Sequence, residues 1–302
     1  MELLAGQVAV RPTCVGLFSP DVAGDVACAG NGCVGVVERA GAGAEGMVGK
    51  RVVTGSVIAC GACERCRAGL WSHCLQRRVP GWDGSGGTIG AMVQGEFVVA
   101  SAACAEVVAN VRDELAIFVN AYASVLAIAS MVRVDRKPFV TVLGDGVMGL
   151  LVAQQLAKAS ASVRLLGHHA QRYGLCERWG IKHRDAREVG LRQDQDVVID
   201  CTGKPAGLVM ASKLVRPRGR VIVKTSPVAA GNFDVAMGTL LANEVELSSV
   251  TAGSVASAAA MLVSSRVDVE PMVTMRGRVG DVARLLGAVK RREGLCGVVS
   301  VS

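Results

Sequence analysis

"FVTVLGDGVMGLL", residues 139–151, decides the architecture of this chain. An apolar run rich in β-branched side chains (139–143) enters a turn in which Gly144, Gly146 and Gly149 are spaced G-x-G-x-x-G, and a helical pattern follows. Each glycine has a physical reason. The first permits the tight turn, the second lets the backbone approach a pyrophosphate, and the third lets helix and strand pack closely. The free N–H groups and positive dipole end of the new helix then face the phosphates. The stretch predicts a dinucleotide site at Gly144, Gly146, Val147, Met148 and Gly149. A glycine-rich turn that binds nothing is the alternative.

Outward from that stretch the same texture continues. A helical pattern, "NAYASVLAIASMV" (120–132), precedes it. Strand "SVRLLG" (162–167), helix "AQRYGLCERWG" (170–180), strand "DVVIDCTG" (196–203), helix "AGLVMASKLV" (206–215) and strand "GRVIVKTS" (219–226) follow. Apolar strands alternating with amphipathic helices imply an α/β, doubly wound parallel sheet of the Rossmann type over 118–252. Residues 1–117 read differently, as short β-rich segments punctuated by glycine: "CVGVVERAG" (33–41), "GKRVVTGSVIA" (49–59) and "MVQGEFVVAS" (92–101).

The end of the second Rossmann strand reads the adenosine ribose, and a carboxylate there favours NAD. The chain has "LLGHHAQR" instead, with His168, His169 and Arg172 as groups able to meet a 2′-phosphate. These residues favour NADP over NAD, with a solvated loop as the alternative. Thr202, at the end of "VVIDCTG", completes the candidate cofactor set.

A second motif is independent of the first. "ACGACERCRAGLWSHC" (59–74) spaces Cys60, Cys63, Cys66 and Cys74 as C-x2-C-x2-C-x7-C. Such a loop can wrap a tetrahedral ion in four thiolates, with structural Zn²⁺ the expected occupant, and a closed shell leaves no position for substrate. Arg65 and Arg67, interleaved with the thiols, offset the negative charge. Four free thiols on a loop are the alternative. Cys176 and Cys201 fall in helix and strand patterns and read as small core residues.

The totals set the frame. A length of 302 residues suggests about two domains. The net charge of +7 is spread thinly over clusters such as "RPRGR" (216–220), which argues against a nucleic-acid stripe. The opening "MELLAGQVAV" is too short for a signal peptide, and the apolar runs fall below the ~20 residues of a membrane span. The 11 cysteines are odd in number in a long chain, so reduced thiols and a cytoplasmic location are expected.

A β-rich front, the four-cysteine lobe, then "VLGDGVMGLLVAQ", "VVIDCTG" and "LVRPRGRVIV" in that order resemble the medium-chain dehydrogenase/reductase superfamily, in its zinc-containing alcohol, sorbitol and threonine dehydrogenase branch. The resemblance covers the chain from about Gly30 onward. It implies a GroES-like domain over 1–117, completed by 253–302, beside the Rossmann domain, a homodimer or homotetramer, and hydride transfer between NAD(P) and an alcohol or carbonyl of a small-molecule substrate. It also implies a second, catalytic zinc, and here the chain departs. The G-H-E-x-x-G segment reads "GNGCVG", with Asn31 and Gly32 in place of His and Glu. Asn120 stands where a carboxylate or thiol is wanted, and the first ligand falls on Cys14 or on the Phe18 position before Asp21. Cys14, Cys28 and Cys33 could form a replacement thiolate site or be buried small residues. No catalytic residue is assignable. The expectation is an NAD(P)-dependent oxidoreductase without a catalytic zinc, the alternative a non-catalytic nucleotide-binding sensor or partner subunit.

Overall fold

The structure, a computed structural model, describes residues 2–18, 32–55, 59–76, 95–107, 110–159, 162–224, 237–251, 253–264 and 267–301. In chain order the strands are β1 (Gln7–Phe18), β2 (Cys33–Ala40), β3 (Arg51–Thr54), β4 (Phe97–Ala100), β5 (Cys104–Glu106), β6 (Phe139–Leu143) and β7 (Ser162–Gly167). They continue with β8 (Lys182–Asp185), β9 (Gln195–Asp200), β10 (Val215–Lys224), β11 (Glu246–Val250), β12 (Val273–Arg278) and β13 (Cys296–Ser300). The helices are α1 (Glu64–Arg67), α2 (Asp113–Ala116), α3 (Val119–Ser130), α4 (Val147–Lys158), α5 (Tyr173–Arg178), α6 (Pro205–Leu214), α7 (Met237–Ala242), α8 (Val255–Val263) and α9 (Val282–Lys290).

The chain divides into two units. One takes the described residues up to Ala123 together with Ser254 onward, and the other runs from Ser124 to Gly253. The division falls inside α3, whereas the sequence pattern changes near residue 117.

In the first unit, seven strands form one sheet in the order β12-β13-β1-β2-β3-β5, with β4 pairing to β1. Its longest member, β1, has inward residues Val8, Val10, Val15 and Leu17 at 0% exposure, so its apolar run is consumed by the core. Strand β13 returns from the far end of the chain to lie antiparallel to β1, Cys14 opposite Ser300 and Phe18 opposite Cys296. Leu285 and Val289 of α9 close over the joint between them.

The second unit is a six-stranded, fully parallel sheet in the order β11-β10-β9-β6-β7-β8. Numbered from β6 this is 3-2-1-4-5-6, the doubly wound order whose ligand crevice lies outside the carboxyl ends of the strands where the order reverses. That point is between β6 and β9, where Leu143 is opposite Asp200. Val142, Leu165, Ile199 and Ile222 are at 0% exposure, as strands covered on both faces require. By length and composition the helical run Asp113–Ser130 could cross a membrane, but 61% of it is buried, the pattern of a core helix.

Candidate nucleotide turn and thiolate centre

The turn between β6 and α4 is built by sterics. Gly144 has φ +95°, a left-handed conformation that side chains resist, and a Cβ there would sit 3.1 Å from the Cys201 carbonyl at the end of β9. A Cβ on Gly149 would land 1.7 Å from the Gly144 carbonyl oxygen, so only glycine lets α4 start this close to the turn. A Cβ on Gly146 would meet nothing within 4 Å, which leaves open space where a ligand would approach. Gly146 is also the residue that begins α4, and no side chain caps it. The orphan N–H groups of the first turn thus face that space without a side-chain partner. The residues fit a pyrophosphate. Val147 is buried and Met148 half-buried beside them. Thr202 closes the far side, its N–H and hydroxyl both donating to Asp200 Oδ1 at 2.8 and 2.7 Å. Burial pushes the Asp200 carboxyl above its ordinary range.

At the end of β7 the sequence expectation needs correction. His168 is exposed, but Arg172 turns inward, with a side chain only 7% exposed. Its Nη1 donates to the backbone oxygen of Asp145 at 2.6 Å and to Oδ1 at 3.1 Å. The same carboxylate accepts the backbone N–H groups of His168 (3.1 Å) and His169 (2.9 Å) and lies 2.8 Å from His169 Nδ1. His183 Nε2 stands 3.6 Å from Oδ2, with its ring tilted against Tyr173 at 4.1 Å between centroids. Burial opposes ionisation of Asp145, but the hydrogen bonds from His169 and the charge of Arg172 outweigh it and hold the carboxyl below the usual carboxylate range. Burial pushes the His183 imidazole down. Swinging Arg172 out to a phosphate would leave a buried carboxylate short of its partner, a cost of about 3–5 kcal/mol. Arg172 is therefore a strut of the turn. Sequence reasoning missed Asp145 and His183, because the cluster joins residues 23 to 38 positions apart through strand adjacency.

The cysteine lobe comes together as its spacing predicts. Ligand sulfurs of Cys60, Cys63, Cys66 and Cys74 all lie within 4.8 Å of one another. Cys63 Sγ is 3.5 Å from Cys66 Sγ and 3.9 Å from Cys74 Sγ. Thiolates at about 2.3 Å from a tetrahedral zinc stand roughly 3.8 Å apart, so the donor set fits Zn²⁺. Backbone N–H groups point at the sulfurs: Cys63 at Cys60 Sγ (3.4 Å), and Cys60 and Gln76 at Cys74 Sγ (both 3.3 Å). Hydrogen bonds from the backbone at Leu75 and Cys66 lower the Cys63 thiol to about 6, whereas burial raises Cys66 to about 12. Arg65 braces the loop by donating to the His73 carbonyl at 3.1 Å.

Among the described residues, the positions where the resemblance implies a catalytic zinc bring no set of ligands together. Phe18 packs edge-on against Phe118, ring centroids 5.4 Å apart. A Cβ at Gly32 would fall 2.1 Å from the Ile117 carbonyl oxygen, so no ligand-bearing side chain has room there. Asn120 is buried at 6% exposure. Cys14 is buried and raised to about 12 by burial, and Cys33 is raised by burial too, so both sit as neutral thiols. Among the described residues the cysteine lobe is the group of ligands close enough to share a metal. Asp21, Cys28 and Asn31 lie outside the described residues. Gly32→Glu, the change that would supply the family's side chain, is expected to destabilise the protein by about 3 kcal/mol or to prevent folding. A thermal melt checks this; parental stability would show that the Ile117 backbone yields.

Comparison with known proteins agrees with this anatomy. Residues 5–110 match the alcohol dehydrogenase GroES-like domain. The chain is 24% identical over 261 residues to 2-dehydro-3-deoxy-L-galactonate 5-dehydrogenase of Pseudoalteromonas atlantica (strain T6c), covering 82% of this chain and 74% of that protein. Among solved structures, one described as a zinc-binding dehydrogenase of Sinorhizobium meliloti 1021, bound to NADP, superposes with a TM-score of 0.80 at 20% identity, over 99% of this chain and 93% of that one. Alcohol dehydrogenase TADH of Thermus sp. ATN1 gives 0.82 at 22% identity, over 99% and 95%. Residues 5–110 thus carry an alcohol dehydrogenase GroES-like domain, and over its whole length the chain has the fold of the dehydrogenases it superposes on.

Proposed function

We propose that the chain is an NAD(P)-dependent oxidoreductase that moves a hydride between a pyridine dinucleotide and an alcohol, carbonyl or activated acceptor, without a catalytic zinc. The observation that carries this is the uncapped start of α4 at the reversal point of a 3-2-1-4-5-6 sheet. When bound, the nicotinamide cofactor supplies or receives the hydride. The chain's own contribution is to hold the pyrophosphate on the amides that follow Gly146 and to fix the turn through Gly144 and Gly149. The Cys60, Cys63, Cys66 and Cys74 centre stiffens the first unit and takes no part in the reaction. Support for a missing second metal comes from Phe18 and Gly32, neither of which offers a ligand atom. A Lewis acid is worth several kcal/mol to carbonyl reduction, so the acceptors best suited to this site are already activated, such as quinones and enones. We place the protein in the cytoplasm as a homodimer or homotetramer.

Two measurements test the proposal. Metal analysis should find about one zinc per chain; two per chain would restore a catalytic ion. A screen of quinones, enones and aldehydes with NADH and NADPH should then find turnover, and a chain that binds nucleotide yet reduces none would instead be a sensor or partner subunit.

A further inference from the structure

The end of β7 carries no side chain, yet the space is filled. A Cβ on Gly167 would lie 2.2 Å from both Cγ and Oδ2 of Asp145, so the carboxylate of the glycine turn occupies the volume that a strand-end side chain would take. An acid does stand at the ribose-reading position of this sheet, delivered from the neighbouring loop. Because Asp145 is ionised and accepts only, the 2.8 Å contact fixes the proton of His169 on Nδ1. Nε2 is the ring atom left over, on a side chain 18% exposed, and in the neutral ring it is an acceptor.

We propose that the Asp145–His169 pair sets cofactor choice, with Asp145 as the positioning residue that makes His169 an acceptor for the ribose 2′-hydroxyl, so that the chain prefers NAD(H) to NADP(H). The cations nearby support this. Arg172 is spent on Asp145, Arg187 pairs with Asp185 at 2.6 Å, and His168 Nδ1 lies 3.5 Å from that same Asp185. Arg184 lines a separate cavity of about 310 Å³ together with Arg164 and Arg192. A 2′-phosphate brings a double negative charge to two carboxylates already in ion pairs. A hydroxyl brings a donor to Nε2, which the neutral Nδ1–H tautomer presents as an acceptor. The inference rests on the dehydrogenase function proposed above.

Dissociation constants for NADH and NADPH, measured at pH 8 on the zinc-loaded full chain, test it. NADH should bind roughly tenfold or more tighter than NADPH. Asp145→Asn should bring the two constants to within about threefold of each other, since the tautomer is released and Arg172 is freed. If Asp145→Asn does not fold, His169→Ala, which leaves the buried ion pair intact, should weaken NADH by about tenfold and leave NADPH nearly unchanged. Equal or tighter NADPH binding by the parent, or a folded variant with an unaltered ratio, overturns the assignment alone. Binding of neither nucleotide overturns the dehydrogenase function along with it.

Discussion

Replacing Gly149 with alanine is expected to lower the melting temperature by roughly 9 °C and to abolish nucleotide binding, from a cost of about 3 kcal/mol. The new methyl would start 1.7 Å from the Gly144 carbonyl oxygen. Neither partner can yield cheaply. Gly144 has little room to back away, since even a Cβ built on it would lie 3.1–3.2 Å from the backbone of Cys201 and Thr202, and the buried side chains of α4, Leu150, Leu151 and Val152 among them, hold the helix down. The helix start must therefore retreat, taking with it the amides that face the phosphate. Circular dichroism melts with a nucleotide titration provide the check, and Gly238→Ala in α7, where a Cβ would meet nothing within 4 Å, serves as the control. A Gly149→Ala protein that melts within about 2 °C of the parent and binds nucleotide normally would refute the wedge.

Stripping the metal from the cysteine lobe should cost at least about 5 kcal/mol of local stability and unfold residues 59–76 while the sheets persist. The lobe has almost no apolar core of its own: Ala59, Cys66 and Cys74 are its buried members, with Trp71 packed against them. Without a dication, a low thiol at Cys63 and a high one at Cys66 cannot both be thiolates near neutral pH. The ion drives off the remaining protons and supplies the folding energy. Limited proteolysis of chelator-treated protein should cut first within this segment, and Cys66→Ser should reproduce the pattern without chelator. Unchanged proteolysis after complete zinc loss would mean that the thiols hold shape unaided.

What could be read in the sequence follows the strength of local signals. The β6–turn–α4 unit and β7 declare themselves because apolar period and glycine spacing agree within a few residues. The cysteine spacing is equally local. Strand β8 is silent in sequence: "KHRD" is polar, and it pairs only at the sheet's edge, where His183 reaches inward. Residue types unlike the ligands that the resemblance implies for a catalytic zinc were legible at Gly32 and Phe18. That the space itself is filled, by the Ile117 carbonyl and Phe118, was not. Arg172 was misread for a related reason. Its partner Asp145 lies 27 residues earlier, and no pattern in one chain tells an exposed guanidinium from a buried strut.

The antiparallel union of β1 with β13 also bears on biogenesis. Strand β1 must wait for Cys296–Ser300 before its sheet is complete, whereas the residues of the parallel sheet emerge as one contiguous block between these two strands. The nucleotide unit is thus able to mature before that pairing forms, and the Cys14–Phe18 side of β1 that β13 will cover stays an unpaired apolar edge through much of translation, the kind of surface that chaperones shield.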